Sequence, residues 1–456
     1  MRRPAHGGGA RVSLTGRIVG AIAVTAMIAG CGGGGHASKP SSEASVGAPV
    51  PHSTTALPTT PIVPHPPAPS PELVRLRASL TRQLGKAGPD SGALVYDLTA
   101  KQTLFALHPN MGRPPASVEK LYTTVALLSE LGPNAHLTTT LLGAGHLGPG
   151  GVWHGDLYLR GGGDPTLGDG GFNRDWEQGF GPTANQIVGQ LRERGIKKVT
   201  GQVIGDGTLF DPLRGGPATA YGPDIPDFGG QLAGLTYDHG STSKGLSPPA
   251  FAAKELVLTM RGSHIKARAA KRTGPAPADA QTLATVQSPP LWVLLRLMDV
   301  PSDDFFAEML TKQLGVRFGG GGSIRAGAQV ISQVIQSFGL HPNIVDGSGL
   351  SRDDRSSPGQ VVALLRTMWN SSIGHDLQAS LPVMGVNGTV QRIAAHTFAQ
   401  GRCMAKTGTL NYVTNLAGYC TARDHHVLAF ALMIDGPPNW TATQLFDRLV
   451  PVIARY

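Results

Sequence analysis

Arg113-Pro-Pro-Ala-Ser117-Val-Glu-Lys120-Leu-Tyr-Thr-Thr-Val-Ala-Leu-Leu-Ser-Glu-Leu131 is the stretch from which the rest of the chain can be organised. Two prolines precede a serine, and an apolar run from Leu121 to Leu131 follows. Proline ahead of a helix and serine at its start match helix-entry chemistry. Ser117 and Lys120 stand three apart, so a helical turn puts them on one face. A serine hydroxyl is a weak nucleophile until a base takes its proton, and a lysine whose charge is disfavoured by burial or by another cation can be that base. The helix N-terminus also offers partial positive charge to a developing oxyanion. Spacing alone does not identify the chemistry: Ser241-Thr-Ser-Lys244 repeats it in a glycine-rich loop with no helix behind it.

Upstream, Pro71 to Leu84 has helical apolar spacing (Leu73, Leu76, Leu80, Leu84). Residues 93–98 and 103–107 read as two strands of a hairpin. Residues 135–280 change character to short strands and glycine-rich turns, which predicts an inserted, mostly-β domain. Helical patterning returns at Leu291 to Met298 and Phe305 to Leu314. Residues 402–434 are strand-rich, and Thr441 to Tyr456 closes as a helix. A helix–strand–strand start and a strand–strand–helix end predict an α+β fold: one antiparallel sheet assembled from both chain ends, flanked by helices.

Two further motifs fall in this frame. Ser302-Asp303-Asp304 opens a helix, where its residue types also suit an N-cap. Lys406-Thr407-Gly408-Thr409 sits in a strand; glycine leaves room for a substrate backbone, and the lysine and threonines can hold a carboxylate. Cys403 and Cys420 lie roughly symmetrically about a hairpin turn near Asn411 to Val413, as a disulfide or as two buried thiols. His425 and His426 fit a solvated turn better than a metal site, and no metal or cofactor is expected.

In that order, Ser-x-x-Lys, Ser-Asp-x and Lys-Thr-Gly resemble the signature of penicillin-recognising serine enzymes. The resemblance extends over Gly155–Leu167, Gly201–Asp206, Ser302–Leu310, Asp346–Arg352, Leu381–Thr389 and Ala405–Thr409, and is to penicillin-binding protein 4-type D-alanyl-D-alanine carboxypeptidases/endopeptidases. It implies a β-lactamase/transpeptidase-like catalytic domain in two parts, 71–134 and 281–456, around the insert at 135–280. It implies Ser117 as nucleophile, Lys120 as general base and Ser302 as proton relay. Asp304, Lys406, Thr407, Gly408 and Thr409 would bind substrate, with the backbone N–H groups of Ser117 and Thr409 as the oxyanion hole. Peptidoglycan peptides and β-lactam antibiotics are the implied partners. The chain departs from the family at Asp304 and Asp354, where asparagine is usual. An ionised aspartate accepts hydrogen bonds but cannot donate, and beside Lys120 it favours the charged lysine, a poorer base. A wall-binding protein of the same fold with weak or lost activity is the alternative. A β-lactamase fits less well because of the long insert.

The N-terminus carries an address. Residues 1–17 are basic and residues 18–30 apolar, the layout of a secretory signal, too short for a stable span. Ile28-Ala29-Gly30-Cys31 resembles a bacterial lipobox, which would make Cys31 a lipid anchor on the outer face of the membrane; a plain signal peptide is the alternative. Residues 31–70, rich in Gly, Ser, Thr and Pro, read as a tether; about forty residues at roughly 3 Å each reach on the order of 100 Å. The formal charge is +9, of which residues 1–30 supply four (Arg2, Arg3, Arg11, Arg17), leaving 9 − 4 = +5. That excess suits an anionic wall. No basic run is interleaved with aromatics, which argues against nucleic acid as a partner.

Overall fold

The computed structural model describes residues 69–223 and 229–456. The signal segment, Cys31 and all but the last residues of the tether lie outside them. Helix α1 (Pro71–Leu84) is capped by the Ser70 hydroxyl and buries Leu73, Leu76, Leu80 and Leu84. The hairpin follows as β1 (Gly92–Asp97) and β2 (Gln102–Leu107). The C-terminal strands are β9 (Cys403–Leu410), β10 (Val413–Thr421) and β11 (Val427–Asp435). They join the hairpin in one five-stranded sheet, ordered β2-β1-β11-β10-β9 and antiparallel throughout.

Strand β11 shows why both faces of this sheet are covered. Leu428, Phe430, Leu432 and Ile434 pack toward α1 and the closing helix, Asn439–Ala454. Ala429, Ala431 and Met433 point the other way, into a core with α2 (Lys120–Leu131), Leu291–Asp299, Asp304–Phe318, Ile324–Ser337 and Pro358–Trp369. The two-residue period of a strand thus feeds two cores at once. Each fully buried Leu, Ile or Phe contributes roughly 1.5–3 kcal/mol. Cys403 and Cys420 face each other in the β9–β10 register and are joined in a disulfide.

The insert is built on a second sheet in which β3 (Thr138–Gly148) and β4 (Val152–Arg160) are central, joined by β5 (Lys198–Val199), β6 (Val203–Asp206), β7 (Ala269–Thr273) and β8 (Gln281–Gln287). Two features differ from the sequence reading. The last strand of this sheet, Gln281–Gln287, pairs with β3, so the insert runs past residue 280 to 287. The domain is β-rich but also carries helices at Gly170–Trp176, Ala184–Glu193 and Pro248–Gly262. The last of these follows Ser247 and starts with proline at its first positions, where a missing N–H costs nothing. Parallel pairings of Val152–Trp153 and Leu157–Arg160 with later strands require such crossovers.

Two ion pairs tie the insert to the helix Asp304–Phe318. His239 Nε2 lies 2.8 Å from Asp303 Oδ2 at its start, and Lys312 Nζ lies 2.7 Å from Asp211 Oδ1 two turns on. This helix therefore cannot shift without moving the insert.

Candidate active site

Ser117 sits in a 3-10 turn, Ala116–Glu119, that feeds directly into α2. The turn is held against the sheet. Asn415 on β10 donates its Nδ2 to the carbonyls of Pro114 (2.9 Å) and Pro115 (2.8 Å). Gly408 on β9 is pressed so close that a Cβ there would lie 2.5 Å from the Pro115 carbonyl and 3.1 Å from the Ser117 nitrogen. Any side chain at 408 would push the serine turn off the strand. Ala116 is in the left-handed region (φ 49°), as is Ser302 (φ 67°). Such backbone costs of order 1–3 kcal/mol per residue and persists only where packing enforces it.

The lysine of the first motif is fully buried. Its Nζ donates to Ser117 Oγ (3.1 Å), Asp304 Oδ1 (2.5 Å) and the Ser348 carbonyl (2.8 Å). Every ammonium proton has an acceptor, as a buried cation requires. Burial pushes the Asp304 carboxyl up while the Lys120 charge pulls it down; the net direction is upward. The helix carrying Asp304 is capped by Asp303, whose side chain accepts from Phe306 N, so Ser302 stands outside the helix.

The second lysine faces the second serine. Lys406 is fully buried on β9, and its Nζ donates to Ser302 Oγ at 2.7 Å and to the Thr407 carbonyl at 3.1 Å. Burial, then the nearby Lys120 charge, push its amine down to about 7; Asp299 and Asp304 pull the other way. Asp299 is itself buried, pushed up to about 6, and accepts from Thr124 and Ser380 at 2.8 Å each. Thr407 Oγ1 meets Thr389 Oγ1 at 2.8 Å. Thr409 is exposed and paired in register with Thr414.

Strand β9 is the edge of its sheet. Residues 382–384 cover its outer side as far as Ala405 through Met384 N to the Cys403 carbonyl and Ala405 N to the Pro382 carbonyl. From Thr407 onward that side has no backbone partner among the described residues. An extended peptide can add there as a further strand, beside Ser117.

The three motifs identified in the sequence thus converge: Ser117, Lys120, Ser302, Asp304, Lys406, Thr407 and Gly408 form one cluster. The second Ser-x-x-Lys does not join them; Ser241 Oγ bonds the Asp238 carbonyl in a loop of the insert. His426 Nδ1 pairs with Asp97 Oδ2 at 2.7 Å, which ties a turn to β1. Asp354 is buried and accepts from Val345 N at 2.6 Å, behind the cleft. Sequence reasoning gave no role to Asn415, Thr389, Ser348 or Asp299. Ser348 acts through its backbone and Asp299 from beneath; the signals on offer were a polar residue in an apolar strand (Asn415) and the stretches Asp346–Arg352 (Ser348) and Leu381–Thr389 (Thr389).

The comparisons with known proteins agree on one family. The D-Ala-D-Ala carboxypeptidase 3 (S13) family matches residues 78–250 and 246–454. The chain is 31% identical over 415 residues to "Carboxypeptidase DacB" of Mycolicibacterium smegmatis, with 85% of each chain covered. It is 25% identical over 457 residues to the "D-alanyl-D-alanine carboxypeptidase" of Actinomadura sp., covering 81% of this chain and 82% of that one. Its fold is similar to that of penicillin binding protein 4 from Haemophilus influenzae, with a TM-score of 0.69 at 20% identity, over 83% of this chain and 99% of that one. With the serine–lysine pair, the second serine and the Lys-Thr-Gly strand gathered in one cluster, this chain belongs to the D-Ala-D-Ala carboxypeptidase 3 (S13) family of serine peptidases.

Proposed function

We propose that this chain cleaves D-alanyl-D-alanine bonds of cell-wall stem peptides through a Ser117 acyl-enzyme, and that it does so from a lipid anchor at Cys31 on the outer face of the cell membrane. The observation that carries the chemistry is the pairing of two buried lysines with two serines, Lys120 with Ser117 and Lys406 with Ser302, beside an open strand edge. The peptide lies along β9, its terminal carboxylate against Lys406 and Thr407. Lys120, once neutral, takes the Ser117 proton as Oγ attacks the carbonyl of the penultimate D-alanine. The N–H groups of Ser117 and Thr409 receive the oxyanion, at a point where strong electrostatic stabilisation is available. Ser302 passes a proton to the leaving amine. Water then attacks the ester and regenerates Ser117. A β-lactam enters the same cleft and acylates the same oxygen. The anchor is supported by the apolar run 18–30 and the small residues before Cys31.

Asp304 favours a second reading, a wall-binding protein with weak turnover. Its carboxylate sits 2.5 Å from the Lys120 amine, and a carboxylate cannot donate to a substrate carbonyl as an amide can.

Incubating residues 72–456 with a penicillin should add the mass of the drug to the wild type and nothing to Ser117→Ala; a folded wild type with no adduct would move the wall-binding reading forward. Asp304→Asn should raise the acylation rate by about tenfold, by removing the carboxylate that engages the Lys120 amine and adding an amide donor for the substrate; an unchanged or lower rate refutes the inhibitory role of this carboxylate. Because the Lys406 amine is held near 7, acylation by the anionic drug should fall as pH rises through that value. Asp299→Asn removes a negative neighbour that favours the Lys406 cation, so the falling limb should move to lower pH; a limb that stays in place shows that Lys406 does not set it. In cells, Cys31→Ala should shift the protein from the membrane fraction to the soluble exported fraction, and a protein that stays membrane-bound would disprove the anchor.

A further inference from the structure

The third acceptor of the Lys120 ammonium comes from none of the three motifs. It is the Ser348 carbonyl, in a buried loop. That loop is held from below by Glu308, one turn along the helix from Asp304 and fully buried. Glu308 Oε1 accepts from the backbone N–H of Gly347 (3.1 Å) and of Ser348 (2.8 Å). Thr123, one turn along α2 from Lys120, donates its hydroxyl to the Gly347 carbonyl at 2.8 Å. Asp346 accepts from Gly349 N and Ser351 N and closes the turn. Ser348 is therefore gripped twice, its N–H by Glu308 and its carbonyl by Lys120.

We infer that Glu308 is a positioning residue for acyl transfer: acting as a hydrogen-bond acceptor and not as a charge, it sets the Gly347–Ser348 backbone so that the Ser348 carbonyl aims the Lys120 amine at Ser117. This rests on Lys120 being the base for Ser117. The surroundings explain why a charge is not needed. Glu308 faces Asp346, Glu119, Lys120 and Lys312, and burial followed by repulsion from Asp346 pushes its carboxyl up to about 8. At neutral pH it is mostly protonated, and its Oε2 has no partner among the described residues. A neutral carboxyl tolerates such burial far better than a carboxylate. Glutamine reproduces the neutral form and keeps the acceptor in place. Aspartate keeps the acid but withdraws the acceptor by about 1.5 Å, the length of one carbon–carbon bond.

The two conservative variants therefore separate the roles. Penicillin acylation is measured over drug concentration for wild type, Glu308→Gln and Glu308→Asp, beside hydrogen exchange at the Gly347 and Ser348 amides. E308Q should acylate within about twofold of wild type, with both amides protected. E308D should lose about tenfold to a hundredfold in limiting acylation rate, as misplacement of a reacting group by an ångström does. Its half-saturating drug concentration should be unchanged and both amides should exchange faster. E308D matching or exceeding E308Q would show that charge matters and would overturn the assignment, as would three equal rates. A wild type that forms no adduct refutes the hydrolase reading itself; an acylated wild type with the wrong ranking refutes only the role of Glu308.

Discussion

A lysine ammonium fully out of water is the constraint around which the catalytic domain is arranged. Leaving such a charge unpaired would cost many kcal/mol, so each of its protons must meet an acceptor. The three acceptors come from three separate parts of the chain: the turn at Ser117, the helix start at Asp304 and the loop at Ser348. None can move independently without stranding the charge. The strained backbone at Ala116 and Ser302 is consistent with this: both residues are forced into the left-handed region at the points where these segments meet the cleft.

The second buried lysine makes the electrostatics a balance rather than a single ion pair. Lys120 disfavours the charge on Lys406, while Asp299 and Asp304 favour it. A site with two cations and a neutral amide at 304 would present a clear positive field to a substrate carboxylate. With aspartate at 304 that field is weaker, and a carboxylate sits against the proposed base at 2.5 Å. The departure thus bears on both binding and proton transfer, and through the same atom.

The insert contributes to this balance without lining the serine–lysine pair. It pins the helix Asp304–Phe318 at Asp303 through His239 and at Lys312 through Asp211. Asp303 is the N-cap of that helix, so the contact fixes where the helix begins and hence where Ser302 and Asp304 point. Glu308, on the same helix, carries the constraint on to the Ser348 loop. One helix thereby links the insert, the proposed relay serine, the carboxylate and the third lysine acceptor.

Much of this was legible in the chain itself, because it is local. Helix-entry chemistry at Pro114 to Lys120 placed Ser117 and Lys120 on one face. The strand-rich composition of residues 402–434 marked the C-terminal strands, and the spacing of Cys403 and Cys420 allowed a cross-strand pair. The order of three short motifs then pointed to a family. What the chain could not reveal depends on contacts between distant segments. Ser348 and Glu308 act through backbone groups and hydrogen bonds across long separations, and a backbone carbonyl carries no sequence signal. The insert extends to 287 and not 280 because a strand such as Gln281–Gln287 is defined by its partner, β3, and not by its own residues. The Asp304 substitution could be read as a departure, but its consequence follows only from the 2.5 Å approach to Lys120, a distance that folding alone decides.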